Sequence, residues 1–111
     1  MQPRAKALGM RAYPHPNIED VAVEHVLHAL SDPVRLDIVR HLVRDGEASC
    51  ATLDGGRPKS SMSHHFRVLR SAGLLRTRIA GVQHMNTLRR EELDRRFPGL
   101  LDAVLNAKGE S

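Results

Sequence analysis

The densest run of chemically capable side chains in this chain lies between Lys59 and Leu88. It begins with Lys59, Ser60, Ser61, Ser63, His64, His65, Arg67 and Arg70, and continues with Arg76, Arg78 and Gln83. Hydroxyls, imidazoles and guanidinium groups at this spacing suit hydrogen bonding to base edges and to phosphate oxygens. These residues form the candidate DNA-contacting set.

A helix must position the first group. Ser60 or Ser61 can cap its start, because a short hydroxyl accepts from an orphan backbone N–H. Gly73 ends it, since glycine takes the left-handed conformation cheaply, and Leu74 folds back on the last turn. On a 3.6-residue wheel, Met62, Phe66 and Leu69 share one face with His65 at its margin, and Ser60, His64, Arg67 and Ser71 share the other. A polar helix face is equally compatible with plain solvation. The segment that follows weighs against that reading. Leu75, Thr77 and Ile79 alternate with Arg76 and Arg78, the period of a half-buried strand. Gly81 turns the chain between Ala80 and Gln83, and a return strand runs from about His84 to Leu88. Two arginines on one face of such a ribbon would follow a phosphate backbone. Charge can also protect a sheet edge, but that does not explain why the basic edge adjoins the polar helix.

Composition is consistent with this reading. The chain has 111 residues, enough for one domain, and a net charge of +4, which suits a polyanionic partner. Aromatic residues make up only 3%, too few for the stacking platforms of single-strand binders, so duplex is favoured. No apolar run is long enough to span a membrane, and the opening residues do not read as a secretory signal. The single Cys50 excludes an intrachain disulfide and fits a reducing cytoplasm, the expected location.

Residues 1–17 read as a flexible N-terminal arm broken by Pro3, Gly9, Pro14 and Pro16, with Arg4, Lys6 and Arg11 able to lie along DNA. The domain itself spans 18–106, followed by a tail over 107–111. Its first helix is expected over Ile18 to Leu30, with Ile18, Val21 or Ala22, Val26, and Ala29 or Leu30 as the apolar stripe. Ser31 or Asp32 caps a second helix with Pro33 at its first position. Leu36, Val39, Leu42 and Val43 are its expected buried side, and Asp45-Gly46 its end. Glu47 to Leu53 reads as one or two helical turns, and Asp54-Gly55-Gly56-Arg57-Pro58 as the turn into the basic helix. Arg89 to Leu105 is helical again, with a bend available at Pro98-Gly99.

Two stretches carry a family resemblance: Ala29-Leu30-Ser31-Asp32-Pro33-Val34-Arg35-Leu36, and Ser63-His64-His65-Phe66-Arg67-Val68-Leu69-Arg70-Ser71-Ala72-Gly73-Leu74-Leu75. With the Gly81 wing in its expected place, the chain resembles the ArsR/SmtB (arsenical-repressor-like) family of winged helix-turn-helix regulators from about Glu19 to Leu105. The resemblance implies a mainly α fold with a small β-hairpin, dimerising through its first and last helices. It implies a homodimeric repressor on an inverted-repeat operator in double-stranded DNA, relieved by an inducer of unidentified chemistry.

The family's usual metal chemistry does not carry over. Where its metal sensors have a Glu-Leu-Cys-Val-Cys-Asp-Leu box, alignment on Glu47 and Leu53 puts Ser49 and Ala51 at the two thiolate positions. Cys50 falls between them, and a soft metal or arsenite needs two or three converging thiolates. The other common site uses Asp, His and Glu on the last helix, yet Arg89 to Leu105 contains no histidine. His25 and His28, spaced i,i+3, are the alternative metal pair, set against a plain surface or interface role. His41 reads as a partner of nearby polar groups, and adjacent His64 and His65 diverge on a helix. Cys50 reads as a small core residue; as a redox sensor it would lack a resolving thiol. No cofactor is expected. No nucleophile elbow or phosphate loop is present, so an enzyme is not expected, and a non-specific DNA-binding or protein-interaction module is the other class to set against a specific regulator. On these residues, one equivalent of zinc, cadmium, nickel or arsenite should leave duplex binding unchanged in a mobility-shift titration; release abolished by His25→Ala or Cys50→Ala would expose a metal site.

Overall fold

In a computed structural model, which describes residues 12–107, the chain forms six α-helices and a three-stranded antiparallel sheet. The basic residues considered above at positions 4, 6 and 11 lie outside the described residues. The expected first helix is broken in two. Asn17 Oδ1 accepts from the Glu19 N–H at 3.1 Å and caps a short 3₁₀ turn, Ile18–Asp20. Val21 and Ala22 are extended, and α1 runs from Val23 to Leu30. The break frees the Val21 carbonyl to accept two bonds from the Arg96 guanidinium, at 3.1 and 2.7 Å. The expected stripe is buried all the same, at Ile18, Val21, Val26, Ala29 and Leu30.

Asp32, not Ser31, caps α2 (Pro33–Asp45), its carboxylate accepting from the Val34 and Arg35 N–H groups at 2.8 and 3.2 Å. Ser31 instead donates its hydroxyl back to the His28 carbonyl. Val43 is 47% exposed, against expectation, because the buried stripe is Arg35, Ile38, Val39 and Leu42, an i, i+3, i+4, i+7 set that leaves Val43 past its edge. Arg35 can join that stripe because its guanidinium donates to the Ala29 and His28 carbonyls at 2.8 and 3.3 Å.

Gly46 ends α2, and Glu47–Ser49, read from sequence as helical, forms strand β1. Three residues are too few to show a period, and β3 decides the matter by pairing Glu47 with Thr87 and Ser49 with Met85. The Ser49 hydroxyl then accepts from the Thr52 N–H at 3.1 Å and starts α3, Cys50–Asp54. After the Gly55-Gly56 turn, α4 runs from Lys59 to Ser71. Neither Ser60 nor Ser61 caps it. Pro58, with φ already fixed, sits at the cap position, and the helix begins early enough that Ser61 lies inside the first turn and donates to the Pro58 carbonyl at 3.1 Å.

The other end of α4 behaves as read. Gly73 has φ +80°, and the Leu74 N–H closes back on the Leu69 carbonyl at 3.0 Å. A β-carbon at Gly73 would lie 2.8 Å from Val21 Cγ2, so glycine is required by close approach as well as by conformation. Strands β2 (Leu75–Ala80) and β3 (Gln83–Leu88) form the hairpin, and β3 lies between β1 and β2. The return strand thus starts one residue earlier than expected, at Gln83. Asn86, in the middle of β3, is fully buried: it accepts from the Thr77 hydroxyl at 2.6 Å and donates to the Ala48 carbonyl at 3.3 Å. Helix α5 spans Arg90–Arg96 and α6 spans Leu100–Asn106; the expected bend is a full break through Phe97-Pro98-Gly99.

Gly73→Ala combines left-handed strain, roughly 1–2 kcal/mol, with the Val21 clash, whereas Gly81→Ala meets no atom within 4 Å despite φ +64°. Thermal unfolding of both variants should show Gly73→Ala destabilised the more; equal losses would mean that the packing at Val21 yields freely.

Candidate nucleic-acid interface

Helix α4 buries Met62, Phe66 and Leu69 and leaves Lys59, Ser60, Ser63, His64, Arg67 and Ser71 exposed. Lys59, Ser63, Arg67 and Arg70 from this helix and Gln83 from the hairpin line one cleft of about 400 Å³. Ser60 and His64 lie on the adjoining outer face. Two members of the sequence-derived set turn elsewhere. Ser61 is engaged with Pro58, and His65, half-buried, accepts from the Arg35 guanidinium at 3.2 Å. Burial holds the His65 pKa below its ordinary value, with the Arg35 charge adding to the effect and Asp32 opposing it. His65 therefore supports the helix from behind.

The wing arginines are not free cations. Arg76 and Arg78 stand on the sheet face opposite the buried Leu75 and Thr77. Arg76 pairs with Glu92 at 3.0 Å, and Arg78 places two nitrogens on one Glu47 oxygen, at 3.2 and 2.8 Å. The sequence pattern shows the alternation but not these partners, which come from β1 and α5. Glu92 is held further by the buried Arg89, which donates to both its oxygens, at 3.2 and 2.6 Å, and to the Pro16 carbonyl at 2.9 Å. The Arg89 bonds, aided by Arg76 and outweighing burial, pull the Glu92 pKa down to about 2.

Sequence reading missed Tyr13 and His15. The arm expected to be flexible over 1–17 is docked through Tyr13, His15 and Pro16. The Arg70 guanidinium lies 4.1 Å from the centre of the Tyr13 ring, and the Tyr13 hydroxyl is hydrogen-bonded to His84. His15 Nε2 accepts from the Thr77 N–H at 2.9 Å, on the outer edge of β2. Pro14 and Pro16 carried the available signal, because a residue before proline is pushed into extended backbone.

The remaining polar candidates are dispersed. Cys50 is half-buried, Asn86 Nδ2 lies 3.3 Å from its sulfur, and burial pushes its thiol pKa up. His41 bonds Asp45 at 2.8 Å, as a partner of a nearby polar group. His25 and His28 are both exposed and border a hollow shared with Arg67, Val68 and Ser71. Among the described residues, no three His, Cys, Asp or Glu side chains are placed to hold a metal ion.

Residues 30–78, from the end of α1 into β2, match a helix-turn-helix domain family. The chain is 34% identical over 89 residues to YceK of Bacillus subtilis, an uncharacterized HTH-type transcriptional regulator, covering 78% of this chain and 89% of that one. It is 30% identical to the crystal structure of the transcriptional repressor BigR from Xylella fastidiosa, with a TM-score of 0.58, covering 78% of this chain and 88% of the other. The chain belongs to the ArsR/SmtB family. A further crystal structure, of an ArsR family transcriptional regulator, shares its fold at a TM-score of 0.62 and 23% identity, over 73% of this chain and 90% of that one. The protein is thus an HTH-type transcriptional regulator, and its family is not one of enzymes. Within this regulator, the first family motif is the Asp32-capped junction of α1 and α2, and the second is α4 with its Gly73 stop. No described helix is long and apolar enough to cross a membrane.

Because the Glu92 pKa is depressed, its contribution to stability is complete above the ordinary carboxylate value of 4.5 and is lost as pH falls towards about 2. Glu92→Gln should cost roughly 1–3 kcal/mol at pH 7, and its unfolding curve should converge on the parent's in acid; a gap that persists to pH 2 would mean that the charge is not what holds Arg89.

Proposed function

We propose that this regulator is a cytoplasmic homodimeric repressor that reads an inverted repeat in duplex DNA through α4 and is released by an inducer other than a thiolate-bound metal. One observation carries the reading. Ser60, His64 and Arg67 share the solvent face of a helix whose opposite face is buried, with Lys59, Ser63 and Arg70 flanking them and Gln83 across the cleft. Such a face offers donors and acceptors to a major groove while its cations meet phosphates. The hairpin tip beside it is open, with Val82 97% exposed. A dimer is supported by Val23 and Leu27, exposed apolar residues one turn apart on α1. The inducer reading rests on Ser49, which caps α3, and on Cys50 as the single thiol.

The test is binding of the protein to an inverted repeat from the DNA flanking its own gene, against scrambled duplex, across a salt series. Each phosphate neutralised should add about −0.9 to the slope of log affinity against log salt. His64→Ala or Arg67→Ala should cost roughly 1–3 kcal/mol on the repeat if the lost side chain bonds a base edge. Arg78→Ala should weaken repeat and scrambled duplex alike. If His64→Ala and Arg67→Ala both bind like the parent, α4 is not the reader.

A further inference from the structure

We propose that residues 12–16 form a displaceable clasp, in which Tyr13 lines the cleft between α4 and the hairpin, covers the Arg70 guanidinium there and withholds it from duplex DNA. The inference rests on the DNA-binding reading above. Four contacts build the clasp, on α4, β3, β2 and Arg89. The Tyr13 ring lies against the Arg70 guanidinium on α4, at 4.1 Å, and its hydroxyl bonds His84 on β3. His15 takes the Thr77 N–H on the outer edge of β2, and Pro16 gives its carbonyl to Arg89.

The cleft that Tyr13 lines also presents Lys59, Ser63, Arg67 and Gln83. A duplex seated on those residues meets Arg70 with its guanidinium already against an aromatic face. Tyr13 and a phosphate oxygen compete for one cation. Opening the clasp therefore adds one phosphate contact and exchanges a neutral partner for an anionic one.

The clasp is also set to open in acid. His15 holds the Thr77 N–H only as a neutral acceptor, and a proton on Nε2 turns the contact into donor against donor. The charges facing His15 come from Arg70 on α4, Arg76 on β2 and Arg89 before α5. Glu92 on α5 is the carboxylate that Arg76 and Arg89 share. Burial first, then these three arginines, lower the His15 pKa, so the closed form is complete above the ordinary histidine value of 6.5 and is lost as pH falls below it.

Tyr13 is the single tyrosine and the chain has no tryptophan, so intrinsic fluorescence reports the clasp alone. Without DNA, acrylamide quenching of Tyr13 should be weak at pH 8 and should rise as pH falls to 5.5, while His15→Ala should be readily quenched already at pH 8. A parent as quenchable at pH 8 as free tyrosine overturns the clasp. With duplex at fixed pH, Tyr13→Ala should bind on the order of 3- to 10-fold more tightly, with a salt slope steeper by about 0.9. Adding Arg70→Ala should abolish both gains. Tyr13→Phe, which keeps the ring on Arg70, should retain the parent slope and covers the case in which Tyr13→Ala unfolds. Equal slopes for Tyr13→Ala and parent overturn the clasp alone. Absence of salt-dependent binding by either protein overturns the DNA-binding reading itself.

Discussion

Asn86 sits at the centre of the sheet with no exposed surface, and the placement of α4 relative to the hairpin is transmitted through its partners. Its carboxamide takes the Thr77 hydroxyl from β2 and gives hydrogen to the Ala48 carbonyl on β1. A buried amide left unpaired costs roughly 1–3 kcal/mol, so a slip of either neighbouring strand is opposed directly. With β1 fixed, Ser49 is fixed, and Ser49 starts α3. The turn through Gly55 and Gly56 then delivers α4 at a set angle, and Gly73 stops it against Val21 and Ile18. The orientation of the candidate reading face is thus set by a polar node in the core, with apolar burial supplying the stability around it.

Charge is distributed with equal economy. On the outer face of the sheet, Glu47 and Glu92 neutralise Arg78 and Arg76. Among the described residues, Lys59, Arg67 and Arg70 take part in no ion pair. These three cations border one cleft, where clustered positive charge raises the local concentration of a polyanion. The wing pairs are half-exposed and are worth little as stabilisation, so Arg78 can exchange Glu47 for a phosphate at small cost. Arg76 is less free, because Glu92 is also held by Arg89.

Much of this was legible in the sequence. The α4 faces, the Gly73 stop and the alternating hairpin follow from periodicity and glycine chemistry, which act within a few residues. The errors share a physical origin in contacts across the fold. Glu47–Ser49 is a strand only because β3 lies beside it, and the extended Val21 that interrupts the first helix is held at its carbonyl by Arg96, 75 positions away. Val43 is exposed because the buried stripe starts from Arg35, a residue whose burial depends on carbonyls six and seven positions earlier. At the candidate interface, the residue types were readable and their partners were not. His65 and Arg76 are polar in sequence and committed in structure, and Tyr13 lies 57 positions from Arg70, the cation it covers.

The single bond from Thr77 to His15 has a consequence for assembly. β2 is an outer strand, and an outer strand presents unpaired backbone groups that a second chain can extend. Here that margin is screened by a short proline-flanked segment whose prolines donate nothing and so cannot nucleate a further strand. The segment thus serves as a selvedge on the sheet, and a shortened chain beginning at Ile18 would keep its core while losing its protection against strand-to-strand aggregation.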